Sequence, residues 1–325
     1  MKKVLTSVDI FKFIAALMVV TIHTHPFICC EKYDYWVTAA CRIAVPFFFI
    51  IGSFLFFKSN KPIGTYIKRL LALYLVWFVI ELPIIYERFF YNQQFLKGFL
   101  LFLRGLLINN TFYASWYITA TWQATLIVYL CSKLKQKYLL LLGISCAFMS
   151  VTNSLYNNLF DNSLWNIYTS FTQTIFASNS FIAAIPYCII GKYIAENQHQ
   201  ISNMKVSIKL LLISVSTLMC ILELALCQDI QLSTDSYFSL YLLAYSICIL
   251  LISHNLNITP SIAKLLRNTS ILIYLLHGIV IKIIQYILGF NYGYSVWITT
   301  ILISISLSYI IVMLSRKYKI LLKLY

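Results

Sequence analysis

Three ionisable residues in one apolar stretch raise the first chemical question. "VDIFKFIAALMVVTIHTHPF" (Val8–Phe27) carries Asp9, Lys12 and His23. Asp or Lys at the centre of a membrane helix costs about 2.5–3.5 kcal/mol on insertion scales, so such residues face something other than lipid. Asp9, Lys12, Ala16, Val19 and His23 recur at spacings of three and four, which puts them on one helix face, turned to the protein interior. The separation from Asp9 to His23 is about 21 Å at about 1.5 Å per residue. An imidazole titrating near neutral pH is the usual general base. The plainer alternative is a histidine hydrogen-bonded to a neighbouring helix. Asp9 and Lys12 read as a structural pair at the inner membrane boundary.

Four further groups carry chemistry. "CRIAVPFFFIIGSFLFF" (Cys41–Phe57) opens with Arg42, and its Pro46 is expected to kink the helix and free a carbonyl. "YIKRLLALYLVWF" (Tyr66–Phe78) sets Lys68 and Arg69 at the mouth of a span. There they could hold the phosphates of a donor or serve as plain topological anchors. "NTSILIYLLHGIVIKIIQ" (Asn268–Gln285) carries His277, a second histidine at membrane depth. Glu81 and Glu223 fall in the outer halves of their spans, and either could pair with Arg42. The nine cysteines lie mostly inside apolar runs, where Cys packs as a small hydrophobe. Cys29, Cys30, Cys41 and Cys227 lie nearer span ends and could pair, but no spacing suits a metal.

The elements that must position these residues are membrane helices. Hydrophobic residues make up 61% of the 325-residue chain and charged residues 11%, with a mean hydropathy of +0.81. A soluble domain carries about 25% charged residues. The chain therefore reads as an all-α, polytopic helix bundle forming a single membrane domain over 1–325. At about 20 apolar residues per crossing, spans fall near 9–28, 37–57, 70–87, 112–131, 138–154, 180–195, 207–227, 237–254, 269–289 and 294–315. "LKGFLLFLRGLLI" (Leu96–Ile108) is too short and contains Arg104, so it suits an interfacial or re-entrant helix. Lys2 and Lys3 precede the first run as in a signal peptide, yet no small-residue cleavage site follows, and the run reads as a retained span.

Charge sets the expected orientation. Lys and Arg collect in Lys58–Arg69, in Lys133–Lys137, at Lys205 and Lys209, at Lys264 and Arg267, and in Arg316–Lys323. The alternate segments Asn153–Ser180, Cys227–Ser236 and Gly289–Ser295 hold neither. The positive-inside rule then gives about ten crossings with both termini cytoplasmic. The net charge of +15 is explained by topology and contact with anionic lipid, not by nucleic-acid binding.

In this order the motifs resemble those of the acyltransferase-3 family of integral membrane acyltransferases. "DIFKFIAALMVVTIH" is similar to its first-helix motif, "RIAVPFFFIIGSFLFF" to its second-helix block and "YIKRL" to its basic third-helix motif. "SWYITA" (Ser115–Ala120) resembles its Trp-aromatic segment and "SILIYLLH" its late histidine motif. Two departures stand out: Gly52-Ser53 replaces the usual Ser-Gly, and Lys12 replaces the usual Arg. The resemblance implies transfer of an acyl group, acetyl above all, from cytoplasmic acyl-CoA as donor substrate, with no resident cofactor or metal. The acceptor it implies is a hydroxyl of a bacterial surface glycan or its lipid-linked precursor, modified by a multi-pass protein of the plasma membrane. On that reading His23 is the base and Arg42 stabilises the oxyanion or binds the acceptor. Lys68, Arg69 and His277 serve the donor. Trp116, Tyr117 and Glu81 serve the acceptor. A rival expectation is a carrier for a small solute such as serine, because related membrane domains are fused to amino-acid racemases.

Overall fold

The computed structural model describes residues 5–59, 61–92, 94–108, 110–228, 233–289 and 291–325. Lys2 and Lys3, part of the Cys227–Ser236 segment and Phe290 lie outside the described residues. Helices α1 (Thr6–Thr24), α2 (Glu31–Cys41), α3 (Ala44–Ser59), α4 (Ile63–Ile80) and α5 (Leu82–Phe89) come first. They are followed by α6 (Phe95–Leu107), α7 (Ser115–Cys131), α8 (Gln136–Thr152), α9 (Ser163–Thr174) and α10 (Phe181–Glu196). The chain ends with α11 (Gln198–Asn203), α12 (Val206–Leu226), α13 (Phe238–Ser253), α14 (Pro260–Leu288) and α15 (Tyr294–Leu314), then a short 3-10 turn, Lys319–Leu324. No strand occurs among the described residues.

Among the described residues, six helical stretches are long and apolar enough to cross a membrane: α1, Glu31–Ser59, α4, α12, α14 and α15. Two shorter apolar helices, α8 and α13, join them. This is an all-helical membrane protein. Each expected span falls on a helix, with boundaries corrected by local chemistry. The second span breaks at Arg42–Ile43, because Pro46 lacks the N–H that the Arg42 carbonyl would accept and its ring crowds that carbonyl. The third breaks at Glu81, just before Pro83. Helix α14 starts at Pro260, ahead of the expected 269, with Pro in its first turn, where its missing N–H costs nothing. The short Leu96–Ile108 stretch forms α6, whose 13 residues reach about 20 Å, short of the ~30 Å hydrocarbon core.

Two compact units divide the chain. The first holds residues 1–45, 72–82 and 254–325. Within it α14 packs along both α1 and α15, which also touch each other. The buried face of α15 is Val296, Thr300, Ser304, Ser308 and Val312, one residue per turn, while Leu302, Leu307 and Ile310 are exposed. Lipid is as apolar as leucine, so helices in a membrane associate through small residues that let backbones approach. Ser7 and Thr6 tie the start of α1 to the carbonyls of His254 and Leu256. Trp77 donates its indole N–H to the Leu324 carbonyl at 3.1 Å, which anchors the C-terminal turn.

The second unit holds residues 46–71 and 83–253. Helix α10 packs between α7 and α8, and α12 pairs with α13. Gly191 of α10 meets α3 so closely that a Cβ there would fall 2.4 Å from the Ile50 carbonyl oxygen. Ser53 then reaches across to donate to the Cys188 carbonyl at 2.7 Å. In α9, Phe176 closes the helix with a left-handed turn (φ 51°). Its N–H bonds the Gln173 carbonyl and the next N–H bonds Thr172, both at 3.0 Å. That position usually belongs to glycine, and a side chain there costs about 1–2 kcal/mol.

Candidate active site

The polar stripe of α1 faces protein: Asp9, Ala16 and Val19 are all buried. At its start the Asp9 carboxylate lies 3.6 Å from Lys12 Nζ and 3.5 Å from Arg267 Nη1 of α14. Lys12 lies one turn along the same helix, and Arg267 reaches the carboxylate from 258 residues away in sequence. At its other end His23 meets His277 of α14. Their ring centroids are 5.2 Å apart and the planes are inclined by 27°.

The orientation of His277 is fixed from its own helix. Its Nδ1 lies 2.5 Å from the Tyr274 carbonyl oxygen. A carbonyl only accepts, so Nδ1 carries the hydrogen and Nε2 of the neutral ring presents a lone pair. His277 is 1% exposed, whereas His23 is half-buried. Grouped by sequence with the donor residues, His277 is found against the proposed base.

Arg42 occupies the break between α2 and α3, where its N–H bonds the carbonyls of Thr38 and Ala39, both at 3.2 Å. Arg42, His25 and His277 all lie close enough to act on the charge of His23. The break thus brings a guanidinium within electrostatic range of His23.

Sequence reasoning passed over His25. Helix α1 stops at Thr24 because His25 precedes Pro26 and is driven out of helical geometry. It takes a left-handed conformation (φ 45°). Its Nδ1 donates to Asp34 Oδ2 at 2.6 Å, and Asp34 Oδ1 accepts the Phe27 N–H at 3.2 Å. The ring meets Tyr292 edge-on at 5.4 Å. The signal was present in "HTHPF", but the carboxylate that turns this histidine into a dyad lies on α2. The turn is also held by α15: Trp297 Nε1 donates to Thr21 Oγ1, and the Gly293 N–H to the Thr24 carbonyl, both at 2.9 Å.

Glu81, in the first unit, is fully buried at the α4–α5 break. Glu223, weighed as a partner for Arg42, caps α13 in the second unit. It accepts from the backbone N–H groups of Phe238 and Ser239 at 2.8 and 2.7 Å, and from the hydroxyls of Tyr156 and Ser239. Burial and the adjoining Glu223 carboxylate push the Tyr156 phenol well above its ordinary pKa. The cysteines weighed for pairing are all free.

Lys68, Arg69, Trp116 and Tyr117 belong to the second unit. Lys68 and Arg69 are exposed on the first turns of α4. One turn before them Tyr66 turns inward and bonds Thr125 of α7, with Arg69 near enough to act on it. Gly52 leaves room for this hydroxyl, which lies 3.8 Å from where its Cβ would stand. Trp116 and Tyr117 are half-buried and pack on Phe49 of α3, at ring distances of 6.0 and 4.8 Å. Their faces are therefore shared between protein packing and open space.

The described residues form a membrane helix bundle in which the rings of His23 and His277 lie side by side. The chain belongs to acyltransferase family 3, whose acyltransferase domain matches residues 5–315. Among curated proteins it is similar to two amino-acid racemases of Enterococcus faecalis. One is 27% identical over 206 residues, 60% of this chain and 29% of the racemase. The other is 31% identical over 139 residues, 39% of this chain and 20% of the racemase. The matched region is thus under a third of the length of either relative. No solved structure matches the chain significantly.

Proposed function

We propose that this acyltransferase moves an acyl group, acetyl in the first instance, from cytoplasmic acyl-CoA to a hydroxyl of a bacterial surface glycan or its lipid-linked precursor. The observation that carries this reading is the His23–His277 contact beside Arg42. A sugar hydroxyl is too weak an acid to attack a thioester unaided, so a positioned base is needed. His23 takes the hydroxyl proton as the oxygen bonds to the thioester carbonyl carbon. Arg42 steadies the negative charge that develops on the carbonyl oxygen. The carbon–sulfur bond then breaks, and the departing thiolate takes the proton back from the His23 imidazolium. His277 holds the base in place through the stacked ring.

Lys68 and Arg69 hold the donor phosphates, Arg by its planar fork. Trp116, Tyr117 and Glu81 serve the acceptor. The basic segments support about ten crossings with both termini on the inner side of the plasma membrane, so donor and acceptor approach from opposite faces. The partial likeness to the racemases does not favour the carrier reading.

The test replaces His23 with Ala and follows protein abundance together with surface O-acetyl by NMR. Normal abundance with lost acetyl is expected. Unchanged acetyl removes His23 as the base.

A further inference from the structure

A positively charged hollow lies at the helical hairpin of α5 and α6, among residues that the proposed chemistry does not use. It is a cavity of about 220 Å³ lined by Arg88, Arg104, Asn110 and Phe176 among others.

The hairpin is closely packed where it forms this cavity. A Cβ on Gly98 would fall 2.1 Å from the Phe89 carbonyl oxygen, and one on Gly105 would fall 2.8 Å from that of Asn110. Only glycine lets α6 lie this close to the neighbouring backbone. Both guanidiniums are then held by neutral groups. Arg88 Nη2 donates to Asn110 Oδ1 at 2.9 Å. Arg104 stacks over the Phe176 ring, 4.3 Å from its centroid. Among the described residues neither arginine pairs with a carboxylate.

We infer that this cavity binds the phosphate group of an anionic ligand. Two guanidiniums bordering one small hollow, on exposed side chains, offer two forks of N–H donors, and the oxygens of a phosphate ester can fill both. A carboxylate, with two oxygens, saturates one. The cavity suits a ligand with an apolar tail, since Leu101 in its lining is exposed. The phosphate comes either from a lipid headgroup or from a soluble phosphate ester.

The test uses the full chain purified in a phosphate-free detergent, with two probes. Phosphatidylglycerol is followed by native mass spectrometry and glycerol 1-phosphate by calorimetry. Arg88→Ala and Arg104→Ala should each weaken binding by about tenfold or more, while Lys97→Ala, an exposed cation outside the cavity, leaves it unchanged. Arg88→Lys and Arg104→Lys keep the charge but lose the fork, so weaker binding is expected even if an alanine variant fails to fold. Arginine-dependent binding of the lipid alone identifies a headgroup site; arginine-dependent binding of glycerol 1-phosphate identifies a phosphate-ester site. Binding of neither probe, or binding that survives in all four arginine variants, overturns the inference.

Discussion

The ring of His277 lies over that of His23, with centroids 5.2 Å apart, although 254 positions separate the two in sequence. The contact joins α1 to α14 at the depth where the stripe of Asp9, Ala16 and Val19 ends. A half-buried imidazole thereby gains a neighbour whose tautomer is set by the Tyr274 carbonyl.

That neighbour should matter to rate more than to folding. His277→Ala removes the stacked ring and lets His23 rotate, and a displacement of about 1 Å in a catalytic group costs about 10²-fold. Acyl transfer should fall by about that factor with protein abundance near normal. Steady-state transfer measured beside membrane abundance checks it, and full activity would exclude His277 from holding the base.

Asp34→Asn should act on the turn after α1. It removes a charged acceptor from His25 and weakens the bond to the Phe27 N–H, at about 1–3 kcal/mol for a charge-assisted pair. A lowered midpoint of thermal unfolding in detergent is expected, with transfer impaired less than in His23→Ala. Transfer lost as completely as in that variant would make the dyad, rather than His23, the base.

Asp9→Asn removes the carboxylate charge that Lys12 and Arg267 share. Because Arg267 is partly exposed, the loss is set at about 1–3 kcal/mol, below that of a fully buried pair. Arg267→Ala should cost less on its own. A double-mutant cycle of the two should return a coupling of at least about 0.5 kcal/mol, and strict additivity would deny the pair.

Two glycines should behave oppositely. A Cβ on Gly191 would fall 2.4 Å from the Ile50 carbonyl oxygen and 2.7 Å from the Ser53 Cβ, whereas Gly64 has nothing within 4 Å. Gly191→Ala should destabilise by about 1–3 kcal/mol through overpacking. Gly64→Ala should be neutral or gain up to about 1 kcal/mol of helix propensity. Unfolding midpoints of the two variants measure the contrast.

Local chemistry made much of this protein legible in its sequence. The apolar content declares a membrane bundle, and the three-and-four spacing declares which face of α1 turns inward. Pro46 foretells a break, though its seat at Arg42 follows from the carbonyl four residues back. These features depend on neighbours along the chain, whose geometry the helix repeat dictates.

Contacts between distant segments were decided only by folding. Nothing in "HTHPF" names Asp34 as the partner of His25, and nothing near Asp9 points to Arg267. Glu223 looked like a counter-ion and became a helix cap, because the exposed N–H groups at the start of α13 reached it. Charges in a bundle choose partners by which helices lie side by side, and that choice belongs to packing across the whole chain.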